Sequence, residues 1–200
     1  MTPRPPLTRA AIVAAARDLV AAEGLDACSV RRVAARLGVT APALYAHIDD
    51  KDDLLRAVAE LEFTRLIERF DAIGATEPDP LARVRAHARA YVDHALEDPA
   101  LFRVMFLYRP AWSPQPNAQE LPLATKAFEH AAAAVEEAMA AGRLRAGDPL
   151  LASLAIWSAA HGVATVILAG IDLGPEYERR LADTVVDAVI SGLADREEKR

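Results

Sequence analysis

The chain has 200 residues, 52% of them hydrophobic and 26% charged, with a formal net charge of −6. This composition excludes an intrinsically disordered chain, and the acidic balance excludes a protein that coats nucleic acid indiscriminately. A single cysteine, Cys28, excludes an internal disulfide; with no apolar signal core in MTPRPPLTR, a cytoplasmic location is expected.

In chain order, Thr8 caps a first helix running to about Glu23 and stopped by Gly24, with Ile12, Ala15, Ala16, Leu19 and Val20 on one face. Ser29 caps a second over about 30–37, with Val33, Ala34 and Leu37 inward. Gly38-Val39 is a turn. Thr40 caps a short third helix with Pro42 in its first turn, where no amide donor is missed. Asp49 or Asp50 opens a long fourth helix to about Ile73, carrying Leu54, Leu55, Val58, Leu61, Leu66 and Phe70. Asp79-Pro80, Asp98-Pro99 and Asp148-Pro149 each set a capping carboxylate before a proline preset for a helix's first position. Helices are expected at about 80–97, 99–107, 118–141, 149–169 and 175–195, with a proline-rich loop at 108–117. The fold class is therefore all-α, with about nine helices.

Charge is unevenly placed along these elements. Residues 1–48 hold six Arg against three acids, so the excess of acid lies in the remainder. A basic end on an acidic body fits a protein of which one end meets phosphate.

Residues 29–47 read SVRRVAARLGVTAPALYAH: cap, two helical turns, a glycine bend, a second cap and a short helix. That is a helix-turn-helix, in which small residues (Ala34, Ala35) let the first helix brace the second. With LTRAAIVAAARDLVAAEGLDAC before it and TAPALYAHIDDKDDLL closing it, the stretch 8–59 closely resembles the DNA-binding domain of TetR-type transcriptional regulators. The resemblance covers about a quarter of the chain. It implies a DNA-binding head at 1–50 and a body at 51–200 for ligand binding and dimerisation, joined by the fourth helix.

The resemblance also sets Ser29, Thr40, Tyr45, His47 and Lys51 near phosphates, in keeping with their donor groups and with helix N-termini that favour anions. It puts Arg31 on a base or a phosphate, and Ala41, Pro42, Ala43 and Ala46 in the groove. Those four carry no hydrogen-bonding side chain, so specificity is expected from Arg31, from contacts to thymine methyls and from DNA shape. Plainer readings stand beside these: Tyr45 as a core aromatic, His47 and Lys51 as surface groups, Arg31 and Arg32 as a solvated face, Cys28 as a small core residue. The four acids around Lys51 (Asp49, Asp50, Asp52, Asp53) are expected to turn away from DNA.

Residues 150–171 contain no Asp, Glu, Lys or Arg. Their Ala, Gly and Ser content, His161 and the Asp-Pro cap argue against a bilayer span, so no membrane partner is expected. A helix apolar all round is expected to be buried on every side, part of it by a second subunit. The resemblance implies a four-helix dimer interface, here assigned to Ala160, Ala164, Ile167, Val185, Val186 and Val189. Trp157, His161 and Gly162 form a W-x-x-x-H-G pattern found in one subgroup of TetR-like bodies. The effector-binding residues are expected among Phe63, Phe70, Tyr91, His94, Phe102, Met105, Phe106, Phe128, Trp157 and His161, with Tyr108 and Trp112, which together suit a small, mostly apolar or aromatic compound. Ordinary core packing is the alternative for each.

No phosphate-cradling glycine loop, G-x-S-x-G elbow or zinc spacing occurs, so no enzyme, cofactor or metal is expected. The expected function is a homodimeric, ligand-responsive regulator, a repressor released from a palindromic double-stranded DNA operator. A ligand-independent or activating DNA-binding regulator is the alternative.

Overall fold

The computed structural model describes residues 6–106, 121–171 and 173–194. Among the described residues, helices are the regular structure, and the one β-type contact is an isolated bridge between Leu144 and Ala194. In chain order they are α1 (Arg9–Glu23), α2 (Val30–Leu37), α3 (Ala41–Leu44), α4 (Lys51–Thr76), α5 (Pro80–Glu97), α6 (Pro99–Met105), α7 (Pro122–Ala140), α8 (Pro149–Leu168) and α9 (Pro175–Leu193), with a 3-10 turn at Leu25–Ala27.

The caps read from the sequence set the helix starts. Thr8 accepts from the Ala11 amide at 3.1 Å, Ser29 from Arg32 at 3.3 Å, Asp98 from Leu101 at 3.2 Å and Asp148 from Leu150 at 2.9 Å. Each satisfies an amide that the helix leaves without an internal acceptor. Asp79 does the same for Leu81 at 3.1 Å. Several helix ends differ from expectation. Helix α4 continues past Ile73 to Thr76, whose hydroxyl donates to the Ala72 carbonyl at 3.0 Å. Helix α6 stops at Met105, where the Phe106 amide turns back to Arg103. Helix α3 is a single turn, tightened after Leu44 by bonds from the amides of His47 (2.8 Å) and Ile48 (3.1 Å) to the Leu44 carbonyl. The loop expected at 108–117, with Tyr108 and Trp112, lies outside the described residues.

The described residues pack as two compact units, divided after Phe63 and Glu97 and again after Pro122: the first holds α1 to α3, the start of α4 and α6, the second the rest of α4 with α5 and α7 to α9. The start of α4, where the sequence reading sets a boundary at 50, lies inside the first unit, and the helix contributes its remaining residues to the second. In the first unit α1 packs on α2 and α6, and α2 on α3. Its core is Ile12, Ala16, Val20, Val33, Ala34, Leu44, Leu54, Val58, Leu101 and Met105, all buried. Each large aliphatic side chain so enclosed contributes roughly 1.5–3 kcal/mol.

In the second unit α5, α8 and α9 pack on one another in all three pairings. Small residues allow this: Ala88, Ala160, Ala164 and Ala182 are buried between larger Val84, Val92, Ile156, Val163, Val186 and Ile190. Ion pairs fasten the rim, from Arg85 to Asp187 (3.0 Å), from Arg89 to Asp183, and from Arg83 to Glu137 (2.6 Å).

Within its own chain α8 is covered on one side only: Leu150, Leu151, Leu154, Trp157 and Val166 are exposed. Ala160, Ala164, Ile167 and Val186, assigned by sequence to a dimer interface, are instead buried within their own chain, and Val185 and Val189 are half-buried. Sequence periodicity shows that α8 has two apolar faces without showing which one its own chain covers.

Candidate nucleic-acid interface

Everything that positions the helix-turn-helix lies in the first unit. Helix α2 ends on Gly38, which adopts a left-handed conformation (φ 61°, ψ 36°). The amides of Gly38 and Val39 close back on the carbonyls of Ala35 and Ala34 at 3.0 Å each, so the chain reverses within two residues. Any side chain at 38 strains that backbone. Thr40 then opens α3 in extended conformation but makes no capping hydrogen bond. The sequence reading placed this cap correctly and overstated its local bond; Thr40 is exposed.

Leu44 is the anchor of α3, fully buried. Tyr45 is 54% exposed, so it is not a core aromatic. Pro42 and Ala46 are also exposed, whereas Ala41, Ala43, His47 and Ser29 are half-buried. One edge of α3 thus presents Thr40, Pro42, Tyr45 and Ala46 to solvent. Arg31 and Arg36 are exposed on α2 and Lys51 at the first residue of α4.

The acids around Lys51 are largely taken up by local bonds. Asp50 accepts from the Asp53 amide at 2.8 Å, capping α4, and Asp52 lies 3.4 Å from Arg56. Asp53 is clamped by Arg9 through two bonds of 2.8 and 2.6 Å and also accepts from the Asp49 amide at 3.1 Å. That arginine holds the Asp53 carboxyl below its ordinary pKa, and its own is raised in turn. The same guanidinium donates to the His47 carbonyl at 2.7 Å. One side chain therefore ties the start of α1 to the end of the α3 turn and to the first turn of α4. Arg9 was missed by sequence reasoning; nothing separates it there from the other arginines.

Two further pairs brace the unit. Arg32 reaches Glu23 (2.5 Å) and the Ala27 carbonyl (3.3 Å), so it is neither a free phosphate ligand nor simply solvated. Arg17 meets Glu62 at 2.6 Å, and Glu62 is 1% exposed. Its place was legible: Glu62 falls four residues after Val58 and four before Leu66, on the apolar face of α4. Cys28 is fully buried, and burial pushes its thiol up, as for a core residue and not a reactive thiolate.

The residues expected around an effector divide between the units. In the first, Phe102 and Phe63 pack against Phe106 at ring-centroid distances of 5.0 and 6.1 Å, with Met105 buried in the same unit. In the second, Phe70 lies beside His87, a residue absent from the sequence assignment. A 2.8 Å hydrogen bond joins the Tyr91 hydroxyl to Nδ1 of His161, on which Trp157 stacks at 5.3 Å. Burial pushes the Tyr91 hydroxyl up in pKa. His94 is buried and Phe128 half-buried. The W-x-x-x-H-G residues Trp157 and His161 are therefore brought together with Tyr91 of α5.

Comparison with known proteins bears on both units. Residues 12–58 match the pattern described as bacterial regulatory proteins, tetR family, and residues 84–189 match the tetracyclin repressor-like C-terminal domain. The uncharacterized HTH-type transcriptional regulator Rv0681 of Mycobacterium tuberculosis is 30% identical over 165 residues, spanning 82% of this chain and 72% of that protein. A solved structure of a protein of unknown function from Rhodococcus sp. RHA1 superposes with a TM-score of 0.82 at 28% identity, over 98% of this chain and 100% of that one. The structure of AibR in complex with isovaleryl coenzyme A and operator DNA shares the fold, with a TM-score of 0.64 at 21% identity, over 90% of this chain and 96% of that one.

Proposed function

Since this chain belongs to the TetR family of transcriptional regulators, we propose that it is a dimeric repressor that leaves a near-palindromic operator when a small effector binds its second unit. The observation that carries this reading is the α2–Gly38–α3 turn, which leaves Thr40, Tyr45 and Ala46 exposed while Asp50 and Asp53 nearby are held by the Asp53 amide and by Arg9. The edge of α3 enters the major groove. Ser29, Thr40, Tyr45, His47 and Lys51 serve as phosphate partners, and Ala41, Pro42, Ala43 and Ala46 approach bases without hydrogen bonds. Base discrimination then falls to Arg31, thymine methyls and DNA shape.

Two chains pair through the exposed side of α8, where Leu151, Leu154, Ser158, Gly162 and Val166 recur at helical spacing, together with the exposed Thr184, Ala188 and Ser191 of α9. By composition α8 is apolar and long enough to cross a membrane, but its Asp148 cap and its packing on α5 and α9 fit a bundle helix whose outer face meets a second copy. The effector acts by preferring a dimer in which the two α3 edges are wrongly spaced; a tenfold loss of operator affinity needs about 1.4 kcal/mol of such preference. Helix α4, which contributes to both units, is the route.

The test is selection of genomic fragments by the purified full chain, followed by sedimentation of the chain alone and with Leu151→Glu. Near-palindromic sites with half-site centres about 34–36 Å apart are expected, bound by a dimer that Leu151→Glu breaks. Asymmetric sites bound by a monomer would reject the reading.

A further inference from the structure

His87 on α5 is 3% exposed, and among the described residues neither of its ring nitrogens has a hydrogen-bond partner. A native fold rarely leaves a buried imidazole so, because the group forfeits its water without replacement. Its neighbours are aromatic. Phe70 of α4 lies 4.5 Å away between ring centroids, tilted by 32°. His130 of α7 lies 5.8 Å from His87 and 6.0 Å from Phe70, stacked within 22° of the phenyl plane. His130 has a carboxylate beside it, Asp71 at 3.6 Å; His87 has none. All four residues belong to the second unit.

The charges around this cluster narrow what it accepts. Burial pushes His87 down to about 4, and His130 and Arg83 add to the effect. The Phe70 carbonyl opposes it from nearby but outside hydrogen-bonding geometry. The imidazole is thus neutral at cellular pH, with one N–H to give and one lone pair to receive. Arg83 is engaged by Glu137 at 2.6 Å and by the Glu77 carbonyl at 3.2 Å, and Arg69 by Glu97. Among the described residues, both arginines near the cluster are therefore already committed to carboxylates.

We propose that His87 is the anchor for the effector, and that the effector is a neutral, flat aromatic compound bearing a hydroxyl. The hydroxyl replaces the partner that His87 lacks, and the ring lies along Phe70 and His130. A hydroxyl both donates and accepts, so it matches either nitrogen of a neutral imidazole. A carboxylate only accepts, and the arginines near the cluster, Arg83 and Arg69, are already paired with Glu137 and Glu97. A hydrocarbon leaves both nitrogens unmet. This assignment rests on the effector-controlled reading above and gives that effector its chemical class.

The experiment records histidine ring nitrogens by NMR in the 15N-labelled full chain during titration with phenol, benzoate or toluene, with His87→Phe and His87→Leu for assignment. Phenol is expected to shift the His87 signals saturably and to bind at least about tenfold more tightly than benzoate or toluene. Both variants should lose that preference, and at least one should melt no lower than the parent. The assignment is overturned if phenol leaves His87 unmoved, if benzoate binds as well, if either folded variant keeps the preference for phenol, or if both variants melt lower. Operator affinity is measured on the same samples. A His87 response to phenol with operator affinity unchanged keeps the site and rejects instead the effector-controlled reading.

Discussion

Each unit of this protein buries a polar side chain of a helix whose neighbours are apolar, and the two are treated differently. In the first, Glu62 sits 1% exposed with Arg17 at 2.6 Å. In the second, His87 sits 3% exposed with both nitrogens unmet. The first arrangement ties α1 to α4 and resists change, because separating the pair strands a charge in the core. The second carries a standing cost that only something outside the described residues relieves. Under the proposed function, a head that holds DNA rigidly and a body that answers to a small molecule have use for both.

The contrast breaks most visibly at Arg17. Arg17→Leu takes the Arg17 guanidinium away from the buried Glu62 carboxylate and should cost about 3 kcal/mol of stability, since breaking a buried pair costs about 3–5 and Arg17 keeps some solvent contact. Arg17→Leu with Glu62→Leu should recover much of that loss. Urea unfolding of the three proteins checks it; a double variant no more stable than the single would show that the pair is not the source of the cost.

The next effect is one of pH. His87 has a folded pKa of about 4 against an ordinary 6.5, so between those values the unfolded chain binds more protons than the folded one. Its contribution is intact above pH 6.5 and is lost as pH falls toward 4, at up to about 1.4 kcal/mol per pH unit. His87→Phe should flatten the stability profile by that slope within this window and leave it unchanged above. Identical profiles would place a partner on the imidazole.

The smallest effect on stability, and the most telling for binding, is at Arg9. Its pair with Asp53 is half-exposed, so Arg9→Ala should cost less than about 1 kcal/mol of folding stability. Operator affinity should fall because the turn after α3 is released, while the dependence on salt keeps its slope. Lys51→Ala should instead reduce that slope by about one. A reduced slope for Arg9→Ala would make Arg9 a phosphate ligand and not a clamp.

Much of this was legible in the sequence. Side-chain caps at Thr8, Ser29, Asp98 and Asp148 carry their own chemistry, and Gly38 marks the bend, so helix starts and the helix-turn-helix could be read locally. What escaped was non-local. The two apolar faces of α8 are equivalent in sequence, and only packing on α5 and α9 decides that Ala160 and Ala164 face inward while Leu151 and Leu154 do not. Arg9 and Asp53 are 44 residues apart, and no local pattern links them. His87 stands on the same helix face as His94, seven residues away, and nothing in a sequence reports how its ring nitrogens are met.

Hydroxyl-radical footprinting of the full chain on the fragments it selects tests the central claim most directly. Two protected patches about one helical turn apart on one side of the duplex are expected. Both should weaken together when Thr40 and Tyr45 are replaced by alanine. A single patch, or protection indifferent to those two residues, would contradict the account.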